Sequence, residues 1–165
     1  MEKGTVYFFT GLSGAGKTTL GGLFHRRLKA KKANVVLLDG DQIRPVYNED
    51  IGYSDADRIK GAHRTFRVAK MLSDQGVDVV VCSICMYSAV RDWSRENIEH
   101  YKEIYIKVTR ETLLRRNQKR LYTQGTNVVG VNLPFDEPRC PDVVVENNGT
   151  ESPEAIVEQL EEELL

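Results

Sequence analysis

The sequence has few cysteines and no long hydrophobic run. Three cysteines occur in 165 residues, Cys82, Cys85 and Cys140, an odd number that gives no disulfide framework. Cys82 and Cys85 have the spacing of half a zinc site, but no second pair follows, so we interpret Cys82 as a core residue. The apolar stretches are only as long as a strand, and the first runs into a glycine-rich motif without a cleavage site. We therefore expect a cytoplasmic protein with neither a signal peptide nor a membrane partner.

A surplus of charge of either sign is absent as well. The chain carries 23 basic and 24 acidic residues, a net charge of −1, whereas nucleic-acid-binding proteins need a broad basic surface. The basic residues between positions 26 and 32 are interpreted as the solvated end of a helix. Hydrophobic residues make up 41% and charged residues 28%, as in globular proteins. We expect one domain over residues 1–165 with a small-molecule partner and no nucleic-acid partner, and the sequence leaves a homodimer open.

Short apolar runs alternate with amphipathic stretches along the chain. Five runs rich in Val, Ile and Tyr predict strands that are buried on both faces, at 6–10, 35–39, 77–83, 104–108 and 143–146. The stretches between and after them predict helices at about 17–31, 54–74, 89–100, 110–122 and 153–164. This alternation predicts an α/β fold of three layers, a parallel five-strand sheet with helices on both faces.

Two stretches, 42–53 and 123–141, do not fit the alternation. Loops of this length in a compact domain are usually binding loops or lids. We expect residues 111–141 to form a lid, because basic side chains that can cover a phosphoryl group precede the second stretch. These are Arg115, Arg116, Lys119 and Arg120.

Residues 11–18 read GLSGAGKT, a full match to the phosphate-binding pattern G-x-x-x-x-G-K-T. The motif follows a predicted strand and opens a predicted helix, which is the context that it requires. Its glycines let successive N–H groups turn toward phosphate oxygens, Lys17 reaches the β- and γ-phosphates, and the Thr18 hydroxyl ligates Mg²⁺. We therefore expect a P-loop NTPase fold with these triphosphate-binding residues: Gly11, Ser13, Gly14, Ala15, Gly16, Lys17, Thr18, Thr19 and, from the lid, Arg116.

The motif is shared by kinases, GTPase switches and ATPase motors. A guanine-reading N-K-x-D sequence is absent, and 165 residues are too few for most motors. A small P-loop domain with a lid favours a kinase, with a nucleotide-binding module that lacks turnover as the alternative.

Two carboxylates follow the second predicted strand. Asp39 and Asp41 are expected at the carboxyl edge of the sheet beside the phosphate-binding loop, where ligands bind in open α/β folds. A carboxylate there can orient Mg²⁺ or accept the proton of an attacking hydroxyl, and either could instead cap the next helix. Arg44, Arg58 and Arg91 are expected near the same edge, where guanidinium groups suit the capture of phosphate or sulfate.

Several segments together resemble the adenylyl-sulfate kinases over nearly the whole chain, from GLSGAGKTT through LDGDQIR, IGYSDADRIKGAHR and RNQKRLY to GVNLPFDEPRCPDVVV. Those enzymes use ATP to phosphorylate the 3′-hydroxyl of adenylyl sulfate. The resemblance implies ATP as the phosphoryl source and Asp41 as the catalytic carboxylate that faces the acceptor hydroxyl, beside catalytic Lys17. Asp39 then serves the metal together with Thr18. The resemblance also implies acceptor-binding roles for Arg44 and Arg58, which hold anionic groups, and for Tyr53, which stacks on the base.

The sequence departs from that family pattern on the acceptor side. Gly61 stands where the family has an acceptor-contacting asparagine, and Val128 stands where a phenylalanine covers the adenine. The family's I-S-P-Y is I-C-M-Y at 84–87. These differences place Gly61 and Val128 among the acceptor-binding positions and predict that adenylyl sulfate, the family's acceptor, is used poorly. The alternative acceptor is a related nucleotide such as cytidine diphosphoramidate, which relatives of the family phosphorylate in capsule biosynthesis.

Overall fold

The computed structural model describes residues 2–47, 50–85, 87–117, 120–126 and 128–165. Five strands form one parallel sheet in the order β2-β3-β1-β4-β5, which confirms the predicted α/β architecture. The strands are β1 (Val6–Thr10), β2 (Val35–Asp39), β3 (Asp78–Cys82), β4 (Tyr101–Lys107) and β5 (Val143–Glu146). The helices are α1 (Lys17–Lys31), α2 (Gly40–Val46), α3 (Asp55–Ser73), α4 (Ser88–Asn97), α5 (Arg110–Arg116), α6 (Leu121–Gln124) and α7 (Pro153–Leu164).

The central strand β1 is buried along its whole length and divides the core into two clusters. Phe9 packs on one face against α1, where its ring lies 5.5 Å from that of Phe24, and α7 covers the same face. Phe8 packs on the opposite face, edge-on against Phe66 of α3 at 4.8 Å. Alternate side chains of a strand point to opposite faces, so this one strand fixes both helical layers. The carboxyl ends of the parallel strands therefore meet at one uncovered edge.

Caps set the ends of the long helices. The Ser54 side chain accepts a hydrogen bond from the backbone N–H of Asp57 at the start of α3, as its sequence position predicted. Ser152 accepts from the N–H of Ala155 at the start of α7, and Pro153 occupies the first turn. Among the described residues, no helix is long and apolar enough to cross a membrane.

The stretch 42–53 was predicted as a loop, but its first residues belong to helix α2. The Asp39 side chain caps this short helix by accepting from the N–H of Asp41. Pro45 argued against a helix in the sequence, because proline disfavours helix interiors. The helix ends one residue after Pro45, so the missing N–H affects only its last turn.

Several further boundaries differ from the prediction; α4, for example, ends at Asn97 instead of 100. β4 begins at Tyr101, whereas the prediction placed its start at 104 because Lys102 and Glu103 interrupt the apolar run. Glu103 is nevertheless buried, with 3% exposure. The predicted helix 110–122 is divided after Arg116, where Asn117 adopts the left-handed conformation with φ 31°. Asparagine tolerates that conformation better than most residues, so a helix can end there without glycine.

Candidate active site

The glycine-rich loop joins β1 to α1 at the uncovered edge of the sheet. Gly16, the residue before α1, has φ 104°, and a Cβ atom there would lie 2.6 Å from Nδ2 of Asn147. Only glycine fits that backbone and that contact. Because Gly16 provides no side-chain cap, the first N–H groups of α1 are left to bind an anion. The predicted residues from Gly11 to Thr19 thus form one loop and one helix start.

Lys17 lies back over this loop. Its Nζ donates to the carbonyl of Leu12 at 2.8 Å. Beneath it, the Cys82 thiol donates to the Lys17 carbonyl at 3.5 Å, and burial raises the pKa of Cys82 to about 12. The thiol therefore stays protonated, and the interpretation of Cys82 as a core residue is confirmed.

Thr18 and Asp39 form a pair of oxygen ligands beside the loop. The Thr18 hydroxyl donates to Oδ2 of Asp39 at 2.7 Å, while Oδ1 accepts from the N–H of Asp41 at 2.9 Å. The two roles considered for Asp39, helix cap and metal-side carboxylate, are therefore compatible in one side chain. A hydroxyl and a carboxylate fit Mg²⁺, which takes one or two protein oxygens and completes its shell with water and phosphate. The described residues hold no cluster of three or more His, Cys, Asp or Glu suited to a metal.

A cavity of about 150 Å³ opens beside the carboxyl ends of β2 and β3. It is enclosed by α2, by α3, by the segment after β3 and by Val129. Apolar side chains make up much of its surface, with a few polar groups among them, as is usual in small-molecule sites. The lining residues are Gly40, Ile43, Arg44, Tyr47, Ile51, Asp57, Arg58, Gly61, Ala62, Thr65, Ser83, Ile84, Cys85, Tyr87 and Val129.

Three of the five predicted acceptor residues, Arg44, Arg58 and Gly61, line this cavity. Tyr53 is 70% exposed outside the lining, and its ring lies 4.0 Å below the guanidinium of Arg44. In the described part of the chain Val129 lines the cavity and Val128 does not, although Val128 is buried. The structure thus moves the predicted contact by one residue.

Two arginine donors at the cavity mouth are already directed by backbone carbonyls. Arg44 Nη2 donates to the carbonyls of Ile51 and Gly52, and Arg58 Nε donates to the carbonyl of Tyr53 at 3.1 Å. These bonds hold both guanidinium groups beside the segment that joins α2 to α3. An anionic group at the cavity mouth would therefore meet two positioned positive charges.

Arg91 was predicted to bind an anion at this edge, and that prediction is wrong. The side chain is 3% exposed, and its Nε lies 3.6 Å from the buried Glu103 carboxylate. Its Nη1 donates to the carbonyl of Cys85 at 2.7 Å, and its Nη2 donates to that of Asp136 at 2.7 Å. Arg91 therefore connects the segment after β3 to residue 136, inside the region predicted as a lid.

Replacing Arg91 with Met should destabilise the fold by up to about 3–5 kcal/mol, because the buried Glu103 carboxylate loses its buried cationic partner and keeps only Arg95 and the Tyr101 hydroxyl. Burial already raises the pKa of Glu103, and Arg91 opposes that shift. Urea unfolding measures the loss. The double variant Arg91→Met with Glu103→Leu is the control and should recover a large part of it. An unchanged unfolding midpoint in the single variant would contradict this account.

Three side chains donate hydrogen bonds to the glycine-rich loop, two of them from the region predicted as a lid and one, Asn147, from the residue after β5. Arg116 donates through Nη1 to the carbonyl of Gly14 at 3.1 Å and through Nη2 to that of Asn147 at 2.8 Å. The Tyr122 hydroxyl donates to the carbonyl of Ser13, and Asn147 Nδ2 donates to that of Ala15 at 2.8 Å.

Sequence reasoning identified Arg116 but assigned no role to Tyr122, the last residue of the RNQKRLY segment, or to Asn147, which belongs to no quoted segment. Asn147 directly follows β5, and its place after a predicted strand was the available signal. Arg115 turns away to donate to the carbonyl of Asn148 at 3.4 Å. Lys119, and Met86 of the I-C-M-Y segment, lie outside the described residues.

The fold and this edge define a P-loop phosphotransferase. A phosphate-binding loop, an oxygen pair suited to Mg²⁺ and a cavity with two arginines at its mouth stand side by side at the carboxyl edge of a parallel sheet. This is the position in which open α/β folds bind ligands.

Comparison with known proteins gives the family. The family model described as adenylylsulphate kinase matches residues 3–146, so the chain belongs to that family of ATP-dependent phosphotransferases. It is 38% identical over 164 residues to cytidine diphosphoramidate kinase of Campylobacter jejuni subsp. jejuni serotype O:2, covering 94% of this chain and 95% of that protein.

A solved structure and a longer relative agree with this family. The APS kinase of Mycobacterium tuberculosis, in complex with AMPPNP and APS, superposes with a TM-score of 0.90 at 29% identity and covers 99% of both chains. The bifunctional enzyme NodQ of Rhizobium sp. (strain N33) is 34% identical over 97% of this chain, which spans only 26% of that longer protein.

Proposed function

We propose that the protein transfers the γ-phosphoryl group of ATP to the 3′-hydroxyl of a small nucleotide. The carrying observation is the hydrogen-bonded series Thr18–Asp39–Asp41, which connects the phosphate-binding loop to the helix that carries Arg44. The triphosphate side and the acceptor cavity are thereby joined through one carboxylate. A protein that only bound a triphosphate would not need a second, arginine-flanked cavity at the same edge.

On the triphosphate side, the N–H groups of the loop and of α1 hold the phosphates, and Lys17 stabilises negative charge on the transferring group. Arg116, held beside the loop by the carbonyls of Gly14 and Asn147, adds a second positive charge. Thr18 and Asp39 hold Mg²⁺, which when bound neutralises charge on the phosphate oxygens. We also propose that residues 111–141 act as the lid that excludes water.

On the acceptor side, Asp41 accepts the proton of the attacking hydroxyl. It lies in the first turn of α2, two residues after Asp39, and is exposed. Arg44 and Arg58 receive the anionic groups of the nucleotide at the cavity mouth. Tyr53, which lies against Arg44, would offer its other face to a base.

Two acceptors are candidates, because two observations favour different ones. Adenylyl sulfate is the acceptor named by the family and by the complex of the M. tuberculosis enzyme. Cytidine diphosphoramidate is named for the C. jejuni relative, which matches almost end to end. Gly61 and Val129 line the cavity, so the wall has no side chain at position 61 and an aliphatic side chain at position 129. We therefore propose that cytidine diphosphoramidate or a close analogue is the better substrate and that its pathway is surface-polysaccharide modification.

An ADP-release assay with Mg·ATP tests the function. We expect a nucleotide acceptor to raise ADP release well above the rate with ATP alone, and cytidine diphosphoramidate to give the higher kcat/KM. Adenylyl sulfate used at above about 10⁶ M⁻¹s⁻¹, an efficient value for enzymes, would assign that acceptor instead. A rate that no acceptor increases would leave a binding module without turnover. Cytoplasmic location and a homodimer stay predictions, checked by fractionation and light scattering.

A further inference from the structure

Two hydroxyl groups meet on the wall of the acceptor cavity. Tyr47 at the end of α2 and Thr65 in α3 both line it, and their hydroxyl oxygens lie 3.0 Å apart. Thr65 is only 6% exposed, and its Oγ1 also lies 3.1 Å from the carbonyl of Gly61, one helical turn earlier. The two hydroxyls and the carbonyl therefore form a short chain of hydrogen bonds inside the cavity.

The direction of this chain follows from its end. A carbonyl oxygen can only accept, whereas each hydroxyl has a single proton to donate. If Thr65 donated to Tyr47, the lone pairs of Thr65 and of the Gly61 carbonyl would face each other at 3.1 Å. Thr65 therefore donates to Gly61, and Tyr47 donates to Thr65. The Tyr47 oxygen is left to the cavity as an acceptor with no proton to give.

A second tyrosine in the lining is in the same condition. The Tyr87 hydroxyl donates to Oδ1 of Asp55 at 2.7 Å. Burial, with this hydrogen bond, raises the pKa of Tyr87 to about 12, so the proton stays on the oxygen. The lining of the cavity thus contains two positive guanidinium groups and two hydroxyl oxygens that accept hydrogen bonds.

This lining selects a ligand that carries both an anionic group and a group that donates hydrogen bonds. We infer that the cavity reads the exocyclic amine of the acceptor's base, and that Tyr47, oriented by Thr65, is the residue that recognises it. The inference deepens the proposed function, on which it rests, and it makes Tyr47 a specificity residue and Thr65 its positioning residue. It assigns the acceptor to nucleotides of cytosine or adenine type and disfavours bases that lack the amine.

The test compares pairs of acceptors that differ only in that amine. Cytidine diphosphate is compared with its 2-pyrimidinone analogue, and adenylyl sulfate with its purine riboside analogue, each having hydrogen in place of the amine. The amine should improve kcat/KM by about tenfold or more in the natural protein, which corresponds to one well-formed hydrogen bond. Tyr47→Phe should remove most of that preference by lowering kcat/KM for the amine-bearing member of each pair more than for the amine-free member.

Thr65 supplies the matched control. Thr65→Ser keeps the hydroxyl and should keep the preference, whereas the isosteric Thr65→Val should lose it because Tyr47 is no longer oriented. Equal kcat/KM for both members of each pair in the natural protein would overturn the inference and leave the proposed kinase activity standing. A preference that survives both Tyr47→Phe and Thr65→Val would overturn the assignment to this hydroxyl pair.

Binding separates the inference from the proposed function. If no acceptor is turned over, the proposed function fails, and calorimetry with the same pairs decides the inference. AMPPNP is included there so that the acceptors do not occupy the triphosphate side. Tighter binding of the amine-bearing member, lost in Tyr47→Phe, would support the cavity as a reader of amines. Equal affinities would overturn it.

Discussion

Substitution of Lys17 by Ala should reduce turnover with Mg·ATP by about a hundredfold or more, since it removes a positive charge that stabilises the transferring phosphoryl group. The fold should remain, because the Lys17 side chain is only half-buried and belongs to neither hydrophobic cluster of the core. ADP release under saturating ATP measures the loss, and the far-UV circular dichroism spectrum checks the fold.

Lys29→Ala is the matched control for this substitution. Lys29 lies on the same helix, exposed in its last turn and away from the carboxyl edge of the sheet. Its removal should leave the rate unchanged. Near-normal turnover in Lys17→Ala would contradict the assignment of a phosphotransferase, whereas equal losses in both variants would point to a general effect on the helix.

Asp41→Asn and Asp39→Asn should fail in different ways. We expect Asp41→Asn to lower kcat by about 10²- to 10⁴-fold with little change in the acceptor KM, because the hydroxyl loses its proton acceptor. Asp39→Asn should act on the metal, and raising Mg²⁺ should restore part of the rate. Initial rates over a range of Mg²⁺ and acceptor concentrations distinguish the two.

The structure supplies a control for the second role of Asp39. Asparagine is as good a helix cap as aspartate, so Asp39→Asn should preserve α2, whereas Asp39→Ala should cost about 1 kcal/mol through the lost cap. Thermal unfolding of the two variants compares them. Equal losses of activity in Asp41→Asn and Asp39→Asn that Mg²⁺ does not relieve would show that the roles are divided wrongly.

The fold could be predicted because its signals are local. The buried strands β1 and β3 are short apolar runs in the sequence. Ser54 and Ser152 mark the starts of α3 and α7, because each side chain accepts a hydrogen bond from the N–H three residues later. The phosphate-binding loop is equally local, since its glycines and Lys17 are consecutive. Such features need no knowledge of which elements lie beside one another.

The acceptor side could be predicted only in part, because its contacts join distant segments. Arg91 resembles other arginines of the chain until Glu103 and the carbonyl of Asp136 are placed around it. The pairing of Tyr47 with Thr65 depends on how α2 is packed against α3, and no spacing rule connects residues of two helices. The one-residue difference between Val128 and Val129 depends on the turn that closes between Val129 and Leu133.

One part of the acceptor cavity wall stands apart from the two hydrophobic clusters that hold the helices to the sheet. Tyr47, Gly61 and Thr65 belong to neither cluster, whereas Cys85 in another part of the lining is a member of one of them. The phosphate-binding loop, by contrast, is fixed by main-chain geometry and by Asn147. Over evolutionary time, these three positions can change without a substitution inside either cluster, so an acceptor cavity can be altered while the phosphate-binding loop stays the same.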